Sequence, residues 1–183
     1  TFTRTPVDAA PTTIIPSGTT YTWTVAPNAD VTGETDQAVG QSSISQTLTN
    51  TSNTVQTVVY TVTPKSGTTG ACVGATFTVT VTVNPIPTAT VDPLSDLTIC
   101  SGETTDIDLT SNVSGATFSW TVTSQTGASG ASAGSGTTIA QTLTATGTTA
   151  GTVVYAVTPS ANNCGNATPT SVTVTVNPKP SIA

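Results

Sequence analysis

Apolar residues alternate with threonine along much of this chain. Phe77, Val79, Val81 and Val83 share one face of a stretch whose other face is Thr78, Thr80 and Thr82. Val172, Val174 and Val176 stand likewise against Thr173 and Thr175. A period of two with a single apolar face specifies a half-buried strand of an antiparallel sheet. The same alternation turns Tyr21, Trp23 and Val25 inward against Thr22 and Thr24, with Phe118, Trp120 and Val122 in a matching stretch. Val58, Tyr60 and Val62 predict a further strand, and so do Val153, Tyr155 and Val157. Ile107 and Leu109 belong to an earlier strand that follows a turn at Ser101-Gly102. Helix signals are sparse. There is no methionine and little Leu, Glu or Lys, and β-branched residues favour a pleated surface.

The strands come in two sets. Y-T-W-T-V, I-S-Q-T-L-T, V-V-Y-T-V-T-P, a cysteine and N-P-I-P follow one another from Tyr21 to Pro87. F-S-W-T-V, I-A-Q-T-L-T, V-V-Y-A-V-T-P, a cysteine and N-P-K-P do the same from Phe118 to Pro180. Trp23 answers to Trp120, Tyr60 to Tyr155 and Asn84 to Asn177. A repeat of this length is a tandem pair of domains, not a solenoid of short units. The boundaries fall at residues 1–86 and 87–183, the first unit truncated at its N-terminus and the second running into the start of another linker. Thr1 aligns with Thr98 inside the second repeat, so the chain reads as an excerpt of a longer array with its export signal and anchor elsewhere.

Several short strands per unit, turn signals between them and one central tryptophan predict an all-β fold: two tandem immunoglobulin-like antiparallel β-sandwiches. Trp23 and Tyr60 are the expected core of the first, Trp120 and Tyr155 of the second. The connector N-P-I-P-T-A-T-V-D-P is proline-rich, and Pro85, Pro87 and Pro93 make it short, stiff and extended. A rod is expected. Asp30–Gln41 and Gly127–Gly136, each following a tryptophan strand, read as long mobile loops.

Composition narrows the function. Charged residues are 7% of the chain and threonine about a quarter of it, with a net charge of −6. Solubility then rests on hydroxyls, helped by the net charge. Arg4, Lys65 and Lys179 are the only basic residues, too few to neutralise phosphates, which argues firmly against nucleic acid as a partner and disfavours an anionic membrane surface. No apolar run has the length of a transmembrane helix, so no membrane insertion is expected from this segment.

The three cysteines are Cys72, Cys100 and Cys164. Cys72 and Cys164 correspond, while Thr3 stands where the first unit would carry a Cys100. The simplest inference is a Cys100–Cys164 disulfide, contributing ~4 kcal/mol on the chain-entropy model and fitting an exported protein. Topology sets a condition on it. If Cys100 ends the first strand and Cys164 opens the last, they sit at opposite poles, beyond bonding distance; three small buried thiols are then the alternative.

Catalytic arrangements are hard to assemble. Without histidine there is no Ser-His or Cys-His pair and no imidazole metal ligand. Asp30, Glu34 and Asp36 share a segment, and Asp106 and Asp108 lie two apart on a strand. Two carboxylates serve glycosidases, but aromatics are only 4% here and are spent on the core. Calcium suits the carboxylates better. Asp92 and Asp96 flank the start of the second unit, where hard oxygen ligands would stiffen the joint, and Asp30, Glu34 and Asp36 form a second candidate. Neither follows the EF-hand pattern, and the bland reading is solvated carboxylates, with no cofactor required. N-x-S/T sequons begin at Asn50, Asn112 and Asn166, a pattern that arises readily in a Thr/Ser-rich chain. Outward threonine rows make good cross-strand pairs and offer a second possible use as a glycan- or ice-binding face.

I-C-S-G-E-T-T-D-I-D-L-T-S-N-V-S-G-A-T-F-S-W-T-V, V-V-Y-A-V-T-P, N-N-C-G-N and V-T-V-T-V-N-P-K-P together resemble the PKD-like repeats of Bacteroidota cell-surface proteins, including the large gliding-motility adhesins exported by type IX secretion. The resemblance spans nearly the whole chain. It implies sandwich domains strung in many copies along an extracellular adhesin, with neighbouring repeats as partners and no catalytic residues. The function expected is a stiff stalk. Its rivals are direct binding of surface polysaccharide and an accessory module of a secreted multidomain hydrolase.

Overall fold

The computed structural model describes residues 1–7, 13–67, 71–92, 97–165 and 168–181. It divides into two compact units, Thr1–Pro85 and Ile86–Ala183. Both are built from strands and turns, with no helix among the described residues.

The first unit contains β1 (Phe2–Arg4), β2 (Thr20–Ala26), β3 (Val31–Thr32), β4 (Gln37–Gln41), β5 (Ile44–Gln46), β6 (Thr49–Asn50), β7 (Gln56–Lys65) and β8 (Phe77–Val83). The order β4-β2-β7-β8 makes its main antiparallel sheet, and β1-β5 and β3-β6 are short pairs. Alternation does what the pattern requires: Val58, Tyr60 and Val62 of β7 are wholly buried, whereas Thr57, Val59 and Thr61 are exposed. Tyr21, Trp23, Val31 and Ile44 complete the core.

The second unit contains β9 (Ala89–Asp92), β10 (Leu97–Cys100), β11 (Glu103–Thr104), β12 (Ile107–Ser111), β13 (Thr117–Thr126), β14 (Ala128–Ser129) and β15 (Gly134–Ser135). It continues with β16 (Thr138–Ile139), β17 (Thr142–Ala145), β18 (Gly151–Ala161), β19 (Cys164–Gly165) and β20 (Thr170–Asn177). Its main sheet runs β10-β20-β18-β13-β15, and β9-β12-β16 and β11-β17-β14 form further sheets. Register repeats between the units: Trp23 faces Val62 as Trp120 faces Val157, and Val25 faces Tyr60 as Val122 faces Tyr155. A register shift between Val122 and Ser124 lets β13 run on to Thr126.

The amino end departs from the repeat. Ile139 pairs with Ile107 of β12, but its counterpart Ile44 pairs with Arg4 of β1. The Phe2 ring sits 5.4 Å from that of Tyr60. Phe2–Arg4 therefore takes the place beside β5 that the start of β12 takes beside β16. It does not take the place of β10, which runs parallel to β20. Thr3 lies opposite Ser45, its hydroxyl 3.0 Å from that of Ser45. The expectation that Thr3 stands in the position of Cys100 is thus corrected. A short strand has little side-chain pattern of its own, so burial of Phe2 against Tyr60 decides where it pairs.

The Cys100–Cys164 disulfide is corrected as well. All three cysteines are thiols. Cys100 is level with Asn177 at one end of β20, beside Val176, which is level with Gly151. Cys164 is level with Ala161, at the far end of β18. At about 3.3 Å per residue the length of β18 puts roughly 30 Å between them, and a disulfide tolerates Cα separations below about 7 Å. The topological condition, not the count of cysteines, decides the question.

Candidate functional site

The segments after the two tryptophan strands hold short strands. β3 and β4 lie within Asp30–Gln41, and β14 and β15 within Gly127–Gly136. What fastens them is a glutamine that the two units share. In the first unit Gln46 Nε2 donates to the Thr35 carbonyl at 2.6 Å, and the Thr35 amide donates back to Gln46 Oε1 at 3.2 Å. In the second, Gln141 and Ser132 exchange the same two bonds at 2.8 and 2.9 Å. The side-chain amide thereby acts as a peptide group, pinning one residue of the segment as a neighbouring strand would. The same Oε1 accepts the tyrosine hydroxyl, at 2.7 Å from Tyr60 and 2.9 Å from Tyr155.

Burial pushes both tyrosines up to about 12, with the charge of Glu34 adding to the effect on Tyr60. Each hydroxyl stays protonated and donating. Beside the clamp, Gly33 and Gly130 have φ of +90° and +99°, and a Cβ at either would collide with the carbonyl oxygen of Thr47 or Thr142. Only glycine admits both the left-handed backbone and that approach.

The clamps differ at the tryptophan. Trp23 Nε1 donates to the Thr35 carbonyl at 3.1 Å, joining indole, segment, glutamine and tyrosine in one network. Trp120 Nε1 is buried and has no hydrogen-bond partner among the described residues.

Two acidic side chains of the first unit accept backbone amides, and a third accepts a side-chain amide. Asp36 Oδ1 accepts the Val25 amide at 2.8 Å, Glu34 Oε1 accepts the Asn28 amide at 2.6 Å, and Asp30 Oδ2 accepts Gln56 Nε2 at 3.3 Å. In the second unit Asp92 of β9 lies opposite Asp108 of β12, and Thr138 donates to Asp108 at 2.8 Å. Asp96 lies outside the described residues, as do Pro93 and Asn166. Among the described residues no three acidic, cysteine or histidine side chains gather where they could hold a metal ion. Asn50 is buried, its amide donating to the carbonyls of Thr54 and Val83, so the first sequon is occupied by the fold.

The aromatic residues are spent inside. Tyr21, Trp23, Tyr60, Phe118, Trp120 and Tyr155 are buried, and Phe2 and Phe77 are partly buried against the first core. On the outer face of the first unit's main sheet, Thr22 lies opposite Thr63, Thr24 opposite Thr61, and Thr61 opposite Thr78. These hydroxyls make a flat polar row, bordered near Asp36 by a shallow depression of about 250 Å³.

The model of the PKD-like domain family matches the chain twice, over residues 3–87 and 97–180. The chain belongs to the PKD-like domain family. No curated protein matches it. PKD-like domains are commonly structural repeat domains of extracellular proteins, and they are typically non-catalytic. The glutamine clamp was within reach of the sequence, because I-x-Q-T-L-T recurs in both units. A lone polar residue has no periodicity, however, and only the folded register reveals that it replaces a strand.

Proposed function

We propose that this pair of PKD-like domains is a spacer segment of a bacterial cell-surface adhesin of the gliding-motility kind, exported by type IX secretion in Bacteroidota. Its role is mechanical: a stiff extracellular stalk made of neighbouring repeats. The observation that carries this reading is where the reactive side chains are spent. Gln46 and Gln141, each held by a core tyrosine, and the carboxylates of Glu34 and Asp36 hold backbone in place. The aromatics that would stack on a sugar are packed within the units. The proline-rich connector of the sequence supplies the stiffness.

A second reading has one observation in its favour. The threonine row over β2, β7 and β8 is a regular array of hydroxyls suited to hydrogen-bonding an extended polysaccharide. One pair of measurements separates the two. Small-angle scattering of the whole chain is expected to give an extended, narrowly distributed pair of domains, and a polysaccharide panel is expected to be blank with and without calcium. A collapsed or broadly flexible pair contradicts the stalk. Saturable, selective binding to one glycan moves the function onto the threonine face.

A further inference from the structure

On the outer face of the first unit's main sheet, Thr22 and Thr24 of β2 stand opposite Thr63 and Thr61 of β7. Directly opposed residues lie about 5 Å apart and alternate ones about 7 Å, so the four hydroxyls mark a rectangle comparable to a sugar ring. β4 walls this floor. Its pairing with β2 shifts register between Tyr21 and Trp23, and Ala38, Val39 and Gly40 bulge out against Thr22 alone. The bulge leaves Val39 69% exposed. Together they shape the depression of about 250 Å³, whose polar lining is the four threonines, Asp36 and Gln37. Asp36 Oδ1 accepts the Val25 amide and Gln37 Oε1 the Val39 amide. Asp36 Oδ2, Gln37 Nε2 and the hydroxyls of Thr24, Thr61 and Thr63 have no hydrogen-bond partner among the described residues.

We infer that this depression is a binding site for one hexopyranose ring of a neutral polysaccharide. The unspent groups decide the class. A sugar hydroxyl both donates and accepts, so it meets the acceptor of Asp36, the donor of Gln37 and the threonines, which do either. An anion would face the Asp36 carboxylate, and an ammonium group would leave the Gln37 amide idle. A hard metal ion would find one carboxylate where it needs several oxygen ligands. Ala38 and Val39 supply apolar contact for the C–H groups of the ring. The second unit builds the same sheet without these side chains. Through the repeat, Asp36, Gln37 and Thr61 become Ala133, Gly134 and Ala156, and β15 pairs with β13 in unbroken register. The site rests on the polysaccharide reading above for its ligand class, and it confines that ligand to one depression of one unit. A single ring site binds at roughly millimolar strength, which leaves a panel probed with the two-domain chain blank and the spacer role intact. Copies of the unit along one stalk would grip together.

The test titrates the whole, isotopically labelled chain with cellohexaose, laminarihexaose and mannohexaose at millimolar concentration. At least one is expected to give saturating amide shifts over residues 22–24, 36–39 and 61–63, with residues 119–121, 133–135 and 156–158 unmoved. Gln37→Gly with Thr61→Ala, which installs the second unit's residues, is expected to weaken binding at least ten-fold. Asp36→Asn keeps an oxygen for the Val25 amide and is expected to weaken it several-fold. A hexasaccharide of galacturonate is expected not to bind. Equal binding by the variants, equal shifts in both units, or galacturonate binding as tight as that of the neutral sugars overturns the proposal. Shifts centred on Thr78, Thr80 and Thr82 that ignore the substitutions overturn it too, while leaving the threonine row a binder. No shift with any of the three neutral sugars removes the site and the polysaccharide reading together.

Discussion

Val172, Val174 and Val176 are buried beneath neighbours on both sides, whereas Phe77, Val79, Val81 and Val83, spelled in the same alternation, are half-exposed at a sheet edge. The strands themselves do not account for the contrast. Four residues do: Leu97–Cys100 lie along β20, and no described segment lies along β8. Burial is a property of the sheet, so strands with the same alternation finish with different amounts of apolar surface in water. At about 25 cal/mol per Å² of apolar area, the inward face of β8 is expected to contribute less to its unit in this chain than the buried face of β20 contributes to its own.

The largest effect that bears on this contrast comes from the central indoles. Trp23→Ala and Trp120→Ala are each expected to cost about 3–5 kcal/mol, read by calorimetry as two transitions of which the lower belongs to the first unit. Trp23→Ala removes the lower transition and leaves the upper in place; Trp120→Ala brings the upper down to the lower or beneath it. A single transition shifted equally by both would erase the distinction between the units. Tryptophan to phenylalanine sharpens it. Trp23 loses a hydrogen bond to Thr35, whereas the Trp120 N–H has no partner among the described residues to lose. The first substitution should be costlier by about 1 kcal/mol.

Next come the clamps. Gln46→Leu and Gln141→Leu each strand a tyrosine hydroxyl and a backbone pair, at about 1–3 kcal/mol in chemical denaturation. Unaltered midpoints would mean that the clamp is ornamental. Opening the closed edge follows at about 1–2 kcal/mol. The double substitution Leu97→Ser, Ile99→Ser should lower only the upper transition and make β20 exchange its amides as β8 does.

Alkali gives a smaller effect with a fixed sign. Unfolded tyrosine titrates near 10, and Tyr60 and Tyr155 are pushed up to about 12 by burial. Between those values the folded chain keeps protons that the unfolded chain has released. Stability is therefore full below about pH 10 and falls as pH rises toward 12. Melting temperatures that hold level over this window would contradict the buried, donating hydroxyls. The smallest expected effect is none: a reductant should leave both transitions unmoved, because Cys100 and Cys164 lie at opposite ends of the sheet. Destabilisation by reductant would reinstate the bridge.

The strands with inward aromatics and valines were legible in the sequence because alternation is a direct image of a one-sided sheet. The tandem organisation was legible from the repeated tryptophan, tyrosine and N-P-x-P positions. Three things were not. The docking of Phe2–Arg4 depends on which groove lies open to a short strand, a fact of the assembled sheet. The fate of Cys100 and Cys164 depends on which ends of β20 and β18 they reach, which the spacing of cysteines does not encode. The work done by Gln46, Gln141, Asp36 and Glu34 is hydrogen bonding to backbone across a neighbouring turn or loop, and single polar residues leave no periodic trace.

Hydrogen exchange of the whole chain, resolved to residues 77–83 and 170–177, tests the contrast between the two edges most directly. With one edge open, the amides of β8 that point away from β7 should exchange orders of magnitude faster than the corresponding amides of β20. Equal, uniform protection along both strands would show that the edge of β8 is already covered and would contradict the account.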